Sequence, residues 1–504
     1  MTLETMLASG KPGAAALAGP ARRPMTYERL REEVEAFAER LRTFGIRSGD
    51  AVALSLPNGP ETVVAVLGVC RAAAVAPLNP AYRAAELSFS LADLHARALI
   101  VQAGAGGAAL EAARAIGLPV FMLTARPNDV AGACSLSRAA GVAVRSRSGE
   151  PEFPADSALL LHTSGTTSRP KLVRLTHRNL ACSARNITRT LGLEPGDICL
   201  DVMPLFHVHG LIGGVLSSLA AGASVWCAPR FDGLRVFTWL EESAATWLTA
   251  VPTMHQAILG RAKGHAEVIA RHRLRFLRSS SAPLADAIWD QLENVFGTPV
   301  LNAYGMTEAA HQIASNPLPP GARRRGTVGI ATGPEITIMD AGGKLLGPGA
   351  AGEVVLRGET IAASYAHPPE ANRTSFHNGW FRTGDEGMLE ADGYLSLTGR
   401  LKEMINCGGE KISPYEVEAV LLRHPAVAQA VCFAVPHPKL GEEVGAAVVL
   451  QPAADASAAA LRRTAEEHLA RFKVPRAILI VDQIPAGPTG KLQRLGLAAR
   501  LGLA

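Results

Sequence analysis

Apolar residues near the start of the chain follow a helical spacing and then give way to short apolar runs. From Leu30 to Phe44 they recur every three or four positions, with Thr26 as a candidate N-cap and Gly45 as a stop. Strand-length runs follow (AVALSLP, ARALIVQ, VFMLTA) and alternate with further helical patterns. This alternation predicts βαβ units and largely parallel sheets that are buried on both faces.

A run rich in hydroxyl residues, LHTSGTTSRPK (161–171), interrupts this pattern. It lies between two strand-like runs, Ser157–His162 and Lys171–Leu175, and Thr176 can cap the helix that comes next. Hydroxyl side chains compete with the backbone for its own hydrogen bonds, so the run predicts a loop. A loop supported by two strands and a helix is well placed to contact a ligand.

The second half of the chain has a different residue pattern. After Gly326, strand-length runs separated by glycine turns predict a β-rich subdomain, and a helix is expected to begin after Pro414. The last hundred residues predict, in order, a strand, a helix and a strand: 446–450, 458–470 and 477–481. We therefore expect an α/β protein with a large N-terminal domain of layered α/β sheets plus the β-rich subdomain, and a small C-terminal α+β domain. The expected bounds are 1–398, a hinge at 399–402, and 403–504.

Composition and charge narrow the function. The 504 residues are 48% apolar and 19% charged with a net charge of +5, which is globular and does not favour nucleic-acid binding. The seven cysteines are scattered and predict free thiols. The uncharged stretch Leu211–Ala228 is weakly hydrophobic, so we expect a buried helix followed by a buried strand rather than a membrane span. Neither terminus predicts a targeting signal, and we expect a cytoplasmic protein.

Five segments carry a family resemblance. LHTSGTTSRPK, NAYGMTEA, WFRTGDEG, GRLKEMINCGGEKISPYEVE and PTGKLQR occur in this order along nearly the whole chain. Together they resemble the AMP-forming adenylating enzymes, a superfamily that includes acyl-CoA synthetases, luciferases and peptide-synthetase adenylation domains. The resemblance implies two half-reactions: a carboxylate attacks the α-phosphate of Mg·ATP to give an acyl-adenylate and pyrophosphate, and a thiol then displaces AMP.

The resemblance also implies roles for individual residues at the nucleotide. Hydroxyls, amides and a cation would surround the triphosphate: Thr163, Ser164, Gly165, Thr166, Thr167 and Lys171. Further nucleotide contacts are expected from Ser281, Ala282, Tyr304 and Gly305, with the Tyr304 ring against adenine. Thr307 would contact the α-phosphate, and Glu308, with Thr163, would hold Mg²⁺. Asp385 would accept hydrogen bonds from both ribose hydroxyls, and Arg400 would donate a hydrogen bond to the same sugar.

The C-terminal segments contribute a second set of expected roles. Lys491 would place a cation beside the bond between the acyl group and phosphate, where charge builds up in the transition state. Gly408 and Gly409 would line the path of the CoA pantetheine. Lys491 and the two glycines cannot face one site in a single pose of the domain that carries them. The resemblance therefore implies a mobile C-terminal domain that rotates about a hinge residue, Lys402.

The class of carboxylic acid that serves as substrate is predicted from the segments that line the acyl pocket in this superfamily. Here these segments carry His207, His209, Arg278, Ser280 and His311. A fatty-acid pocket would be apolar, so the pattern favours a small polar acid such as a dicarboxylate, whose second carboxylate needs a charged partner. The strings TSGTTSRPK, PLFHVHGL, RSSSAPL and MTEAAHQIASNPLPP resemble the oxalate–CoA ligase branch most.

Several alternatives stay open from the sequence. His207 can act sterically as a gate, His209 can pack against the glycine-rich helix after it, and Arg278 can form a structural ion pair. His311 is the strongest specificity candidate because it follows Glu308 by three residues. The alternative functions are a short-chain, malonate or aromatic acyl-CoA synthetase, an adenylate-binding protein without catalysis, and transfer to a separate carrier protein. Whether the chain forms a homodimer is also open.

Overall fold

The structure, a computed structural model, describes residues 3–104, 107–139, 150–163, 170–486 and 492–503. Part of the expected triphosphate loop and the expected catalytic lysine therefore lie outside the described residues: Ser164, Gly165, Thr166, Thr167 and Lys491. No helix in the described ranges is long and apolar enough to cross a membrane. The seven cysteines are buried and form no disulfide, as expected.

The strands alternate with helices in the first half of the chain and dominate the second half. In chain order they are β1 (Ala15–Ala18), β2 (Met25–Thr26), β3 (Ala51–Ser55), β4 (Ala74–Pro77), β5 (Ala98–Gln102), β6 (Val120–Ala125), β7 (Cys134–Arg138), β8 (Ser157–Thr163), β9 (Lys171–Thr176), β10 (Ile198–Asp201), β11 (Ser224–Cys227), β12 (Trp247–Ala250), β13 (Phe276–Ser280), β14 (Val300–Met306), β15 (His311–Ser315), β16 (Ile330–Ala331), β17 (Glu335–Met339), β18 (Leu345–Leu346), β19 (Ala351–Arg357), β20 (Tyr365–His367), β21 (Phe376–His377), β22 (Trp380–Leu389), β23 (Leu395–Arg400), β24 (Ile405–Cys407), β25 (Glu410–Ile412), β26 (Val427–His437), β27 (Gly441–Leu450) and β28 (Ala477–Ile480).

The helices lie mostly between strands of the first two sheets. The α-helices are α1 (Leu3–Leu7), α2 (Tyr27–Thr43), α3 (Pro60–Ala72), α4 (Ala84–Asp93), α5 (Ala108–Ile116), α6 (His177–Thr190), α7 (Ser217–Ala220), α8 (Val236–Ser243), α9 (Pro252–Ala262), α10 (Ala266–Arg271), α11 (Asp286–Phe296), α12 (Asn372–Ser375), α13 (Pro414–Leu421), α14 (Ala458–His468) and α15 (Leu497–Arg500). A π-helix spans His209–Leu216, and 3₁₀ turns span Lys263–His265, Thr307–Ala309, Pro369–Ala371 and Arg471–Lys473.

Two large sheets form the body of the N-terminal part. The first has the order β16-β15-β14-β13-β12-β10-β11-β1-β2, and its central strands from β14 to β1 run parallel. The second has the order β20-β9-β8-β4-β3-β5-β6-β7, with β4, β3, β5 and β6 parallel. Helices cover the faces of these sheets, which explains why their strands are apolar on both sides.

The hydroxyl-rich loop lies between two antiparallel strands of the second sheet. β8 and β9 pair from Ser157 opposite Thr176 to Thr163 opposite Lys171. Thr176 caps α6 because its Oγ1 accepts a hydrogen bond from the Asn179 amide, and Asn179 Oδ1 in turn accepts from the Thr176 amide. Regular, paired strands thus precede and follow the hydroxyl-rich segment in the chain. Leu172, the second residue of β9, is fully buried and packs in the core of this sheet.

The remaining strands form the β-rich subdomain and the C-terminal domain, as expected. The third sheet has the order β18-β17-β19-β22-β21, with β23 also on β22. The fourth has the order β25-β24-β27-β26, with β28 on β27. β23 ends at Arg400 in the third sheet and β24 begins at Ile405 in the fourth. The α/β fold class with a separate C-terminal domain is confirmed, whereas the bounds of 1–398, 399–402 and 403–504 stay predictions.

Two details of the C-terminal domain differ from the sequence prediction. α13 begins at Pro414 itself, because proline fits the first helical position and Ser413 caps the helix. β26 was not predicted at all. It contains Pro436, which disfavours a strand, but β26 lies at the edge of its sheet, where a residue without an N–H is tolerated.

Candidate active site

The carboxyl ends of parallel strands in the first sheet meet at one edge. The segments that follow β10, β13 and β14 carry His207, Ser281 and Thr307, in that order along the chain. Open α/β sheets bind ligands outside the carboxyl ends of their strands. The topology therefore brings segments that are about a hundred residues apart in sequence to one edge.

The first group of polar side chains joins β14 to the third sheet. Tyr304 donates a hydrogen bond from its hydroxyl to Asp385 Oδ2, and Arg400 Nε lies 3.0 Å from Asp385 Oδ1. Asp385 and Arg400 are cross-strand partners in β22 and β23, and Asp385 is buried. Burial and the Asp385 carboxylate raise the pKa of Tyr304, so its hydroxyl stays a donor at neutral pH. Three of the predicted nucleotide residues are thus in direct contact.

A second group links the end of the hydroxyl-rich loop to the predicted magnesium ligand. Tyr365 donates from its hydroxyl to Glu308 Oε1 at 2.7 Å, and the Lys171 ammonium lies 4.4 Å from the centre of the Tyr365 ring. Lys171 Nζ also lies 3.4 Å from Ser375 Oγ. Burial lowers the pKa of Lys171, and the Glu308 carboxylate partly offsets this effect.

Tyr365 was not predicted from the sequence, although this residue contacts two of the predicted residues, Glu308 and Lys171. β20, which carries Tyr365, pairs with β9, the strand that leaves the hydroxyl-rich loop, with Tyr365 opposite Val173. Asn372 fixes the Tyr365 backbone through hydrogen bonds of 2.8 and 3.0 Å. Tyr365 lies far from Glu308 in sequence, and no local pattern distinguishes it from an ordinary core tyrosine.

Other predicted nucleotide residues line the same edge. Thr163 ends β8, and its Oγ1 lies 3.4 Å from the Lys171 carbonyl oxygen, while Thr307 starts the 3₁₀ turn that carries Glu308. A Cβ on Gly305 would lie 2.0 Å from the His311 carbonyl oxygen, so only glycine fits there. Ala282 is half-buried in the segment after β13.

The predicted acid-binding residues form a buried cluster beside these groups. His209 Nε2 lies 2.7 Å from Thr249 Oγ1, its Nδ1 lies 3.1 Å from Ser281 Oγ, and its ring stacks on His311 at 5.0 Å. Both ring nitrogens of His209 are therefore engaged. Ser281, predicted as a nucleotide contact, also positions this histidine.

Arg278 is the charged centre of this cluster. It is fully buried and donates to Thr249 Oγ1 at 3.2 Å, to His311 Nε2 at 3.0 Å and to Gln312 Oε1 at 2.9 Å. Within the described ranges no carboxylate lies at ion-pair distance from Arg278, so a structural ion pair is not found there. Burial lowers the pKa of Arg278 to about 10, which leaves it charged at neutral pH.

Unsatisfied polar atoms surround this cation. Arg278 Nε, Ser280 Oγ and Gln312 Nε2 are buried and have no hydrogen-bond partner. Ser281 and His311 also adopt positive φ values of 75° and 93°, which are unfavourable for residues with a side chain. Orphaned polar atoms and strained backbone commonly mark sites that bind a ligand.

The π-helix closes one side of the cluster. It is entirely buried, and a Cβ on Gly213 would lie 2.6 Å from His311 Nε2. The next residue, Gly214, lies against Asp201, whose buried Oδ2 has no partner. Burial raises the pKa of Asp201 to about 8. The buried helix and strand predicted for this stretch are present, with β11 as the strand.

Three predicted residues lie apart from the clusters, and a fourth, His207, lies at their margin. Gly408 and Gly409 form the exposed turn between β24 and β25, both with positive φ, and Lys402 is exposed between the third and fourth sheets. His207 is half-buried and accepts a hydrogen bond from the His209 amide at 3.2 Å, which places it at the start of the π-helix. The roles predicted for all of these residues stay predictions.

The donor set at Glu308 suits a hard cation that is shared with phosphate oxygens. Its carboxylate is buried, and Oε1 is oriented by Tyr365. Among the residues that the structure describes, no group of three or more His, Cys, Asp or Glu side chains is arranged to hold a metal. A single carboxylate completed by phosphate and water oxygens is typical of Mg²⁺, which keeps several non-protein ligands.

Comparisons with known proteins show the family of this chain. The family described as AMP-binding enzyme matches residues 6–366, and its C-terminal domain family matches residues 416–491. An oxalate–CoA ligase of Arabidopsis thaliana is 46% identical over 476 residues, covering 93% of this chain and 92% of that protein. An oxalate–CoA ligase of Saccharomyces cerevisiae is 40% identical, covering 89% and 86%.

A solved structure extends the likeness to the whole fold. ATP-bound MatB from Rhodopseudomonas palustris superposes with a TM-score of 0.87 at 29% identity, covering 99% of both chains. The apo form of the same protein gives a TM-score of 0.78.

Proposed function

The chain belongs to the AMP-binding enzyme family and is an ATP-dependent, AMP-forming carboxylate–CoA ligase, and from this premise we propose that it acts on oxalate or another small dicarboxylate. The acid would bind in the buried cluster around Arg278 and His311, and the nucleotide beside Tyr304, Asp385 and Arg400. The oxalate–CoA ligases at 46% and 40% identity support this substrate class.

The observation that carries the proposal is a buried guanidinium without a counter-charge. Arg278 is fully buried, and in the described part of the chain only neutral groups accept its hydrogen bonds. A buried cation is unfavourable unless an anion or several acceptors meet it. The second carboxylate of a diacid, the one that does not react, would supply that charge, either at Arg278 itself or through His311, which accepts a hydrogen bond from Arg278.

The cluster also favours a polar acid over a hydrocarbon chain. Gly213 brings the π-helix against the His311 ring, so a side chain at position 213 has no room. The surrounding polar atoms, among them Ser280 Oγ and Gln312 Nε2, would be left unsatisfied by a hydrocarbon chain. Oxalate, which consists of two carboxylates and no hydrocarbon, satisfies such donors best.

The adenylation step would bring the acid, bound in the Arg278 cluster, to the α-phosphate of ATP. One carboxylate oxygen of the acid attacks the α-phosphorus, a bond to that phosphorus forms, and pyrophosphate leaves. Thr307 and Lys171 would contact phosphate oxygens, and Asp385 would accept from the ribose hydroxyls. Mg²⁺, held by Glu308 and Thr163, would neutralise phosphate charge. Lys491 would stabilise the charge that develops in the transition state.

The thioester step follows from the same site. The CoA thiol attacks the acyl carbon, the bond between that carbon and the bridging oxygen breaks, and AMP leaves with the oxygen. We propose that the C-terminal domain rotates about Lys402 between the steps, so that the Gly408–Gly409 turn replaces Lys491 at the site.

An acid panel tests the substrate. Wild-type protein is incubated with ATP, Mg²⁺, CoA and one of oxalate, malonate, acetate, butyrate or benzoate, and the thioester is detected by mass. We expect the highest kcat/KM with oxalate. Turnover of butyrate or benzoate without turnover of oxalate would refute the assignment, and a preference for malonate would keep the dicarboxylate class but change the acid.

A further inference from the structure

A cavity of about 450 Å³ opens beside α6, outside the two clusters of the candidate active site. α6 lines it with Cys182, Arg185 and Arg189, and the segment that follows β19 lines it with Glu359 and Thr360. We call it the α6 cavity. Cavities that bind small molecules commonly have volumes of about 300–1,000 Å³. The α6 cavity is therefore large enough for a small ligand, and none of these residues takes part in the proposed reaction.

Two arginines give the rim of the α6 cavity a positive charge. Arg185 and Arg189 are exposed and are four residues apart, so their side chains lie on the same face of α6. Arg185 donates to Cys182 Sγ at 3.4 Å. Arg189 donates to Asn186 Oδ1, and within the described ranges neither arginine forms an ion pair with a carboxylate. Like charges at this spacing destabilise a helix, so an anion bound by both guanidinium groups would be stabilising.

The carboxylate that lines the α6 cavity is already paired. Arg178 donates to Glu359 Oε1, and the Cys182 thiol donates to Glu359 Oε2 at 3.1 Å. These hydrogen bonds from Cys182 and Arg178 lower the pKa of Glu359, and the charge of Arg185 adds a smaller effect from a longer distance. Since Arg178 offsets the charge of Glu359, the two rim arginines keep their own charge without a partner.

The buried part of the cavity wall carries a hydroxyl that nothing satisfies. Thr360 is only 1% exposed, and in the described part of the chain its Oγ1 has no hydrogen-bond partner. A buried polar atom without a partner is unfavourable and commonly marks a position where a ligand or water binds. Gly333 lines the same cavity, and a Cβ there would lie 1.9 Å from Asn186 Nδ2. Glycine at this position therefore lets the chain pass close to α6.

We propose that the α6 cavity is a second anion site, which binds a compact dianion through Arg185 and Arg189 and satisfies the hydroxyl of Thr360. A guanidinium group binds phosphate and carboxylate oxygens alike, because both anions present two oxygens at the spacing of its donors. The ligand is therefore a phosphate-bearing anion or a small dicarboxylate. The proposal is independent of the proposed function, since the two sites share no residue.

Alkylation of Cys182 reports occupancy locally, because this thiol lines the cavity. Wild-type protein is treated with iodoacetamide, a neutral reagent, at rising concentrations of inorganic phosphate or oxalate and at constant ionic strength. Mass spectrometry follows each cysteine. We expect at least one of the two anions to slow modification of Cys182 several-fold and in a saturable manner. Cys407, which is 8% exposed against 6% for Cys182, is the internal control and should react at an unchanged rate.

Variants separate the site from general surface charge. In the double variant Arg185→Gln with Arg189→Gln, we expect the calorimetric affinity for the protecting anion to fall at least tenfold. Thr360→Val keeps the buried volume but removes the hydroxyl, so binding should weaken several-fold without loss of thermal stability. The matched control is Arg271→Gln, which removes an exposed arginine of α10 that pairs with Glu241 and should bind like wild type.

The two anions identify the ligand class. Protection by phosphate alone assigns a phosphate-bearing ligand, protection by oxalate alone assigns a dicarboxylate, and protection by both assigns compact dianions in general. No saturable binding of either anion, an affinity that the double variant leaves unchanged, or an equal loss in Arg271→Gln would each overturn the site. If Cys182 does not react even without an anion, the calorimetric comparison decides alone. Failure of wild-type protein to form any thioester would refute the proposed function and leave this site standing.

Discussion

Replacing Arg278 by methionine removes the charge at the centre of the proposed acid site while keeping most of its volume. Burial lowers the pKa of this guanidinium to about 10, well below its ordinary value. That shift corresponds to a free-energy cost of roughly 3 kcal/mol for burying the charged guanidinium, and a bound carboxylate can offset this cost. Truncating one partner of a buried charge pair costs about 2–5 kcal/mol. We therefore expect kcat/KM for oxalate to fall about 100-fold, since ~1.4 kcal/mol corresponds to a factor of ten.

The effect should be specific for the acid with a second carboxylate. Steady-state kcat/KM is compared for oxalate and acetate in wild type, Arg278→Met and Arg278→Lys, and we expect acetate to change less than threefold. The control Arg275→Met removes an arginine that precedes the same strand and pairs with Asp197. Thermal unfolding shows whether each variant is folded. An equal loss for both acids in a folded protein would refute the role of Arg278 as a counter-charge.

Three further predictions concern other parts of the site. Tyr365→Phe removes a hydrogen bond to the Glu308 carboxylate worth about 1.5 kcal/mol, so the Mg²⁺ concentration needed to bind a non-hydrolysable ATP analogue should rise about tenfold. The control Tyr394→Phe loses only a bond to a backbone carbonyl, and an unchanged Mg²⁺ requirement in the Tyr365 variant would contradict the prediction. Lys491→Ala should abolish acid-dependent ATP–pyrophosphate exchange but spare thiol attack on supplied acyl-adenylate, and equal loss of both would oppose its assigned role. Burial raises the pKa of Asp201 from 3.8 to about 8, so this group's stabilising contribution is complete below pH 3.8 and is lost as pH rises to about 8. Chemical unfolding should show that this loss, on the order of 6 kcal/mol, disappears in Asp201→Asn, and parallel pH profiles would contradict it.

The sequence predicted those parts of the fold that depend on local signals. Thr26 and Thr176 cap helices as expected, because their hydroxyls accept from amides three residues later. The strands on either side of the hydroxyl-rich loop are also in place, since apolar runs bounded by turn residues specify strands. The resemblance grouped Tyr304, Asp385 and Arg400 as nucleotide contacts. The three side chains do contact one another, and their role at the nucleotide stays a prediction.

Long-range contacts could not be predicted in this way. Tyr365 reaches Glu308 only because β20 pairs with β9, a register that depends on the whole second sheet. The absence of a carboxylate near Arg278, within the described ranges, is a property of the packed cluster and not of its sequence neighbours. Ser281 and His311 adopt positive φ against their intrinsic preference, because tertiary packing overrides local conformation at these positions.

In the proposed reaction, a carboxylate oxygen of oxalate becomes bonded to the α-phosphorus of ATP before the thioester forms. Oxalate labelled with ¹⁸O in all four oxygens tests this directly, with mass analysis of the nucleotide and pyrophosphate after turnover with CoA. We predict one ¹⁸O atom in AMP and none in pyrophosphate, because the bridging oxygen leaves with AMP. Label in inorganic phosphate, or turnover that leaves AMP unlabelled, would contradict the account.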